Sequence, residues 1–301
     1  MPEPVTVRAA IEWTESRLTA GGVYCGHGTD NTFDEAAWLV GGALRMAPAE
    51  LEAHLDEALP APARTRLEAL VRQRVATRKP TAYLLREAWF AGLPFYVDER
   101  VIVPRSLTAE FIEERFAPWI DAARVHRLLD LGTGSGCMAI ACALAFPAAQ
   151  VDATDLSADA LAVARINVER YGLVERVRLL KSDLFAALAG ERYDVIVTNP
   201  PYVARAEWDA LPAEYRHEPR VALAAGEHGL DAITCILADA HAHLGPEGIL
   251  VAEVGNTSEA LQAAFPDIPF TWLSTRTGDE SVFLLTAAQL EAHRHRFATR
   301  R

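Results

Sequence analysis

The sequence predicts an α/β protein, with a parallel sheet covered by helices on both faces, preceded by a small helical domain. Three observations predict it. Beyond Ala123, short apolar runs rich in β-branched residues alternate with runs of helical period. The first of those runs, "RLLDL", opens directly into the glycine turn "GTGSG" and then into a helical stretch. Before residue 88 the helical period stands alone.

The elements follow in order. "TVRAAIEWTESRLTA", "TFDEAAWLVGGALRM" and "TRLEALVRQRVAT" place apolar residues at helical spacing, with Pro48, Pro60, Pro62 and Pro80 as punctuation. Between Ala88 and Pro104 the period shortens. Aromatic and β-branched residues surround two turn signals, Gly92–Pro94 and Asp98–Glu99, which predicts short hairpin strands. "SLTAEFIEERFAPWI" reads as a helix capped by Ser106 or Thr108. Strands are then expected at "RLLDL", "QVDATD", "RVRLLK", "YDVIVT" and "GILVAEV", with late strands at "FTWLST" and "SVFLLT". The intervening helices are "SGCMAIACALAF", "SADALAVARINVERYG" with Ser157 as cap and Gly172 as stop, and "DAITCILADAHAHLG". The expected domains are residues 1–87 (helical, substrate-recognising), 88–104 (β-hairpin linker) and 105–301 (α/β).

Composition narrows the class. Of 301 residues half are hydrophobic, and the formal net charge is −12. Such a surface repels a phosphate backbone and attracts a basic protein. No apolar run approaches the roughly 20 residues a bilayer requires. The start "MPEPVTVRAAIEW" lacks the basic and apolar regions of a signal peptide, so a cytoplasmic location is expected. Cys25, Cys137, Cys142 and Cys235 form no CxxC pair, and the i, i+2 histidine pairs His241/His243 and His293/His295 face different sides of a helix. No metal site is expected.

The glycine turn is the first candidate site. Gly132, Gly134 and Gly136 let the backbone approach a ligand at the carboxyl end of a strand. A P-loop would continue Lys–Ser/Thr, whereas this chain continues Cys137–Met138. Asp130 would repel a pyrophosphate but suits an ammonium or sulfonium charge. Asp155, ending the next strand, is placed to accept from ribose hydroxyls. Asp183, in "KSDLF", could accept from an adenine amine. The combination points to S-adenosylmethionine.

The second candidate is "TNPPYV". Asn199 ends a strand beside the glycine turn and offers an amide oxygen. Pro200 lacks an N–H but keeps its carbonyl acceptor. Pro201 stiffens the extended chain, and Tyr202 supplies a flat wall. Two fixed acceptors suit a planar –NH2 group, an amide or a nucleobase amine, whose nitrogen becomes positive during attack on a methyl group.

Together "DLGTGSG", "DATDLSADAL" and "TNPPYV" resemble the bacterial protein-glutamine methyltransferases. The resemblance implies a helical N-terminal domain, a hairpin linker and a Rossmann-like S-adenosylmethionine-dependent methyltransferase domain. It implies methylation of a glutamine side-chain nitrogen. It carries over Asn199, Pro200, Pro201 and Tyr202 as the substrate clamp, and Gly132, Thr133, Gly134, Ser135, Gly136, Asp155, Asp183, Leu184 and Asn199 as cofactor contacts. One branch of that family acts on peptide release factors, the other on a large-subunit ribosomal protein. "GHGTDN", "AYLLREAWFAGLPFYVDERVIVPRS" and "PFTWLSTRTGDESVFLLT" are similar to the second branch. Leu184 stands where the release-factor branch usually carries tryptophan. The resemblance also implies that Arg105 and Glu110 belong to a segment closing over the cofactor, and that Glu218–Pro219 shapes the substrate mouth; Glu253 reads as structural. A basic ribosomal protein is the implied substrate.

Two other functions compete. An adenine amino-methyltransferase uses a similar clamp, but it needs a positive groove for its nucleic acid. The net charge of −12 and the absence of a basic run count against it. A non-catalytic assembly factor would have no need of the complete clamp.

Overall fold

The computed structural model describes residues 5–298. The chain forms two compact units. One is the chain up to Ala88 together with Val97–Glu99 and Pro212–His217; the other comprises Trp89–Tyr96, Arg100–Leu211 and the chain from Glu218 onward.

The smaller unit is helical, with helices Val7–Ala20, Thr32–Leu44, Pro48–Leu51, Ala61–Thr77 and Thr81–Leu85. Side chains outside the helices satisfy their first free N–H groups: Thr6 accepts from Ala9 N and Asn31 from Asp34 N. Leu18, Leu39, Val40 and Leu67 are fully enclosed. So is Arg74, whose guanidinium meets Glu35 at 2.5 Å and Glu214 at 3.4 Å. Glu214 also accepts from Tyr24 N at 3.0 Å, so the distant segment Pro212–His217 completes this unit's buried charge network.

Strands β1 (Ala88–Phe90) and β2 (Leu93–Phe95) form a two-stranded sheet around Ala91–Gly92, both at positive φ. The second expected turn, Asp98–Glu99, leads into no strand. Glu99 and Arg100 form a turn and Val101 a bend, and the chain from there through Pro104 pairs with no strand; Val103 N donates instead to the Glu218 side chain.

The larger unit is built on seven strands: β3 (Arg127–Leu131), β4 (Gln150–Asp155), β5 (Val177–Lys181), β6 (Tyr193–Thr198), β7 (Leu244–Glu253), β8 (Thr271–Leu273) and β9 (Val282–Thr286). Their order is β5-β4-β3-β6-β7-β9-β8. The first five are parallel, while β9 runs antiparallel to β7 and to β8. The expected parallel sheet is therefore mixed. No helix separates β8 from β9, and a short connection returns the chain antiparallel.

Residues alternate between two cores along each central strand. Leu128, Val195, Val197 and Val251 face helix Cys137–Ala145; Leu129, Ile196, Leu250 and Ala252 face helices Asp231–His243 and Ala287–Ala298. The last of these helices was not anticipated. It follows β9 without a turn signal, and of its largely polar sequence Ala287, Leu290 and Phe297 reach the core. The helix expected over residues 106–120 covers only Thr108–Glu113. Arg115 and Phe116 adopt positive φ ahead of Pro118, which has no N–H to donate. Ser106 accepts from Thr108 N, yet its own hydroxyl is given to Glu253.

Candidate active site

Strand order reverses between β3 and β6, and the carboxyl ends of these neighbours define the site. Leu131 is paired with Thr198, so the residues that follow, Gly132 and Asn199, emerge on adjacent strands roughly 5 Å apart. Thr198 Oγ1 donates to the Leu131 carbonyl at 2.8 Å and locks the two strand ends together. Nothing in the local sequence marked Thr198 for that task.

A cavity of about 500 Å³ opens there. Of the expected residues, Gly132, Gly134, Asp155, Asp183, Leu184, Asn199 and Pro201 line it. Gly132 (φ +74°) and Gly134 (φ +54°) leave open space where a Cβ would stand. This bare backbone faces the cavity, as a close-approaching ligand requires. Asp155 accepts from Gly134 N at 2.9 Å and from Ser157 N at 2.8 Å, so it braces the glycine turn while lining the cavity. Burial raises its pKa.

Asp130, Thr133, Ser135, Gly136, Pro200 and Tyr202 lie outside that lining. Asp130 is fully buried; its Oδ2 accepts from Thr133 Oγ1 at 2.6 Å and from Ala139 N at 3.0 Å. Thr133 N and Gly132 N both donate to the Thr154 carbonyl. The Ser135 carbonyl accepts from Asn167 Nδ2 at 2.8 Å. Gly136 (φ +81°) starts the helix and approaches Ala164, where an added Cβ would stand 3.2 Å from the Ala164 Cβ. Asp130, Thr133, Ser135 and Gly136 thus shape the turn from beneath.

Apart from Leu184 and Pro219, which the resemblance named, the remaining lining residues carried no sequence signal. Leu184 holds φ +45°, unusual for a leucine. Ser182 fixes it by donating to the Leu184 carbonyl at 2.6 Å while accepting from Ala187 N. One wall comes from Asp231, Ala232 and Cys235 of helix Asp231–His243, and another from Pro219, Val221 and Ala222. Arg100, Val101 and Ile102 close the rim.

That rim is bolted in place. Arg105 makes a two-pronged ion pair with Glu218, at 2.6 and 2.8 Å, and Glu218 also accepts from Val103 N at 2.9 Å. Glu253 accepts from Ser106 Oγ at 2.6 Å and Leu107 N at 2.9 Å. Burial pushes the Glu253 carboxyl up to about 6. Glu110 is elsewhere, accepting from Arg276 N at 2.8 Å.

The lining carries Asp155, Asp183 and Asp231 against a single cation, Arg100. This donor set disfavours a polyphosphate and favours a ligand with hydroxyls, an amine and a positive centre. S-adenosylmethionine has that chemistry.

The comparisons with known proteins agree with the geometry. Residues 9–85 match the family described as PrmC N-terminal domain, and residues 114–214 match the Methyltransferase small domain. The ribosomal protein uL3 glutamine methyltransferase of Bordetella pertussis is 50% identical over 95% of this chain and 96% of its own. Its counterpart in Neisseria meningitidis serogroup B is 47% identical over 96% and 95%. The chain belongs to the ribosomal protein uL3 glutamine methyltransferase family. Its cofactor is accordingly S-adenosylmethionine. Among solved structures, the hMettl16 catalytic domain in complex with MAT2A 3'UTR hairpin 6 superposes with a TM-score of 0.51 at 16% identity, over 77% of this chain and 84% of that one. At that identity the likeness is one of fold alone.

Proposed function

We propose that the protein transfers a methyl group from S-adenosylmethionine to the side-chain amide nitrogen of a glutamine in ribosomal protein uL3. The observation that carries the mechanism is the placement of Asn199: it follows β6 directly, lines the cavity, and stands beside the bare backbone of Gly132. Gly132 to Gly136, Asp130, Asp155, Asp183 and Leu184 hold the cofactor, directly or by bracing the turn. The cofactor supplies an electrophilic methyl on a sulfonium. Asn199 Oδ1 and the Pro200 carbonyl accept the two N–H bonds of the substrate amide. They orient its nitrogen lone pair and stabilise the positive charge that grows on it. Pro201 keeps both acceptors aimed, and Tyr202 walls the amide in. The methyl gained by the amide nitrogen would be the one the sulfonium gives up, leaving a neutral thioether, and the surplus proton on nitrogen would leave to water. The helical unit recognises the protein substrate, and the enzyme works in the cytoplasm.

Incubation with radiolabelled S-adenosylmethionine and, separately, unmethylated uL3, a release factor and duplex DNA tests the reading. Label is expected in uL3. Label confined to the release factor or to DNA overturns the substrate assignment. Asn199→Ala should lower kcat by about 10²- to 10³-fold, the usual cost of removing one preorganised hydrogen-bonding group, with cofactor affinity largely kept. A fully active Asn199→Ala protein would sink the clamp mechanism.

A further inference from the structure

Tyr202 is seated by two glycines from other parts of the chain. Gly255 follows β7 with φ +50°, and a Cβ built on it would lie 2.4 Å from Tyr202 Cε2 and 2.7 Å from Cζ. The tyrosine ring therefore rests on a bare Cα. Gly229, with φ +75°, precedes helix Asp231–His243; a Cβ there would lie 2.3 Å from the Tyr202 carbonyl oxygen and 2.9 Å from Thr257 Cγ2. Thr257 cannot yield easily, because it is buried and its hydroxyl donates to the Val254 carbonyl at 2.7 Å. Nor can the Tyr202 main chain. Pro201 precedes it, and Val203 is tied on both sides, its N–H to Leu223 at 2.8 Å and its carbonyl to Ala225 N at 3.0 Å.

We propose that Gly229 and Gly255 are positioning residues for methyl transfer, a two-point seat that sets the Tyr202 carbonyl and the Tyr202 ring. The proposal rests on the reading of Asn199 to Tyr202 as an amide clamp. Each contact excludes even one methyl group. Alanine at position 255 pushes the ring off its seat while leaving the cavity's glycine turn untouched. Alanine at position 229 displaces the peptide that carries the ring. Both lower turnover on the protein substrate without weakening the cofactor.

A double-mutant cycle tests this, with Gly172→Ala as the control. Gly172 shares the strained backbone (φ +67°), but an added Cβ there has nothing within 4 Å. Turnover of uL3, its KM, the cofactor Kd and the thermal midpoint are measured for each protein. Gly255→Ala is expected to lose roughly tenfold or more in kcat, with the cofactor Kd within about threefold, whereas Gly172→Ala stays within about twofold. In a Tyr202→Ala background the further loss from Gly255→Ala should shrink below about twofold, because the ring it displaces is gone. Equal losses with and without the ring overturn the seat. So does a Gly255→Ala protein no worse than Gly172→Ala, or one that fails to fold and is not recovered by Tyr202→Ala. Full activity in Tyr202→Ala alone overturns the clamp and the seat together; impaired Tyr202→Ala beside unimpaired Gly255→Ala overturns the seat only.

Discussion

At Asp130 the sequence asks for a charge and the fold withdraws it from water. The carboxyl is fully buried, with two hydrogen bonds on Oδ2 and no partner for Oδ1 among the described residues. Burial pushes its pKa up to about 7, against the pull of the Thr133 and Ala139 bonds. The native state thus holds a proton that the unfolded chain releases near 3.8. The stability gained from that proton is complete below about pH 4 and is lost as pH rises through about 7. Asp130→Asn keeps an acceptor for Thr133 and Ala139 but cannot ionise. Its stability, followed by urea unfolding from pH 4 to pH 8, should lack a fall that reaches up to about 4 kcal/mol in the parent protein. Parallel pH profiles for the two proteins would show that Asp130 does not titrate in this range. The same proton links to ligand binding. A sulfonium or ammonium near the turn favours the ionised carboxyl, so cofactor affinity should rise through pH 7 in the parent and stay flat in Asp130→Asn.

Among the elements, the stretch Val103–Leu107 shows how the rim of the cavity is held. The Glu218 side chain is fully enclosed, and Arg105 meets it with both guanidinium prongs. Removing one partner leaves a buried charge poorly compensated, at a cost of about 3–5 kcal/mol. Arg105→Met should lower stability on that scale and weaken cofactor binding through the adjoining Arg100, Val101 and Ile102. Arg105→Met with Glu218→Met should recover most of the stability. If the double variant is as unstable as the single one, the loss comes from packing and not from the stranded carboxylate. The same stretch marks the limit of what a single sequence discloses. The strands, the glycine turn and the Asn199–Tyr202 run were legible because each is a local pattern: a short apolar β-branched run, a glycine spacing, a pair of prolines. The pairing of Arg105 with Glu218, or of Ser106 with Glu253, joins residues more than a hundred positions apart. No local pattern announces such partners. Ser182, Gly229 and Gly255 escaped for a related reason, since their importance lies in what the fold brings against them. The antiparallel edge was missed although the short glycine turn at Gly278, too brief for a crossover, marks it, and the final helix was missed because no turn signal separates it from β9.

For the whole molecule the governing fact is charge: 41 acidic against 29 basic residues. Much of the basic side is already spent. Arg127 and Arg178 converge on Asp152 and Glu191, and Arg74 and Arg78 on Glu214. The field at long range is therefore negative. A ribosomal protein shaped to sit on RNA carries the opposite sign, so encounter is steered, while a nucleic acid is turned away. Steering acts on the rate of encounter and decays with the Debye length, about 10 Å at 0.1 M salt and shorter above it. The expected signature is a kcat/KM for uL3 that falls roughly five- to tenfold as ionic strength rises from about 0.05 to 0.3 M. The fall should lie almost wholly in KM, because screening acts on the encounter and not on the chemical step. Cofactor affinity, set inside the cavity, should barely move. Added duplex DNA should not inhibit at low salt except by sequestering uL3 itself, which excess enzyme would reveal. A kcat/KM indifferent to salt would mean that recognition rests on apolar contact, and that the surface charge serves solubility alone.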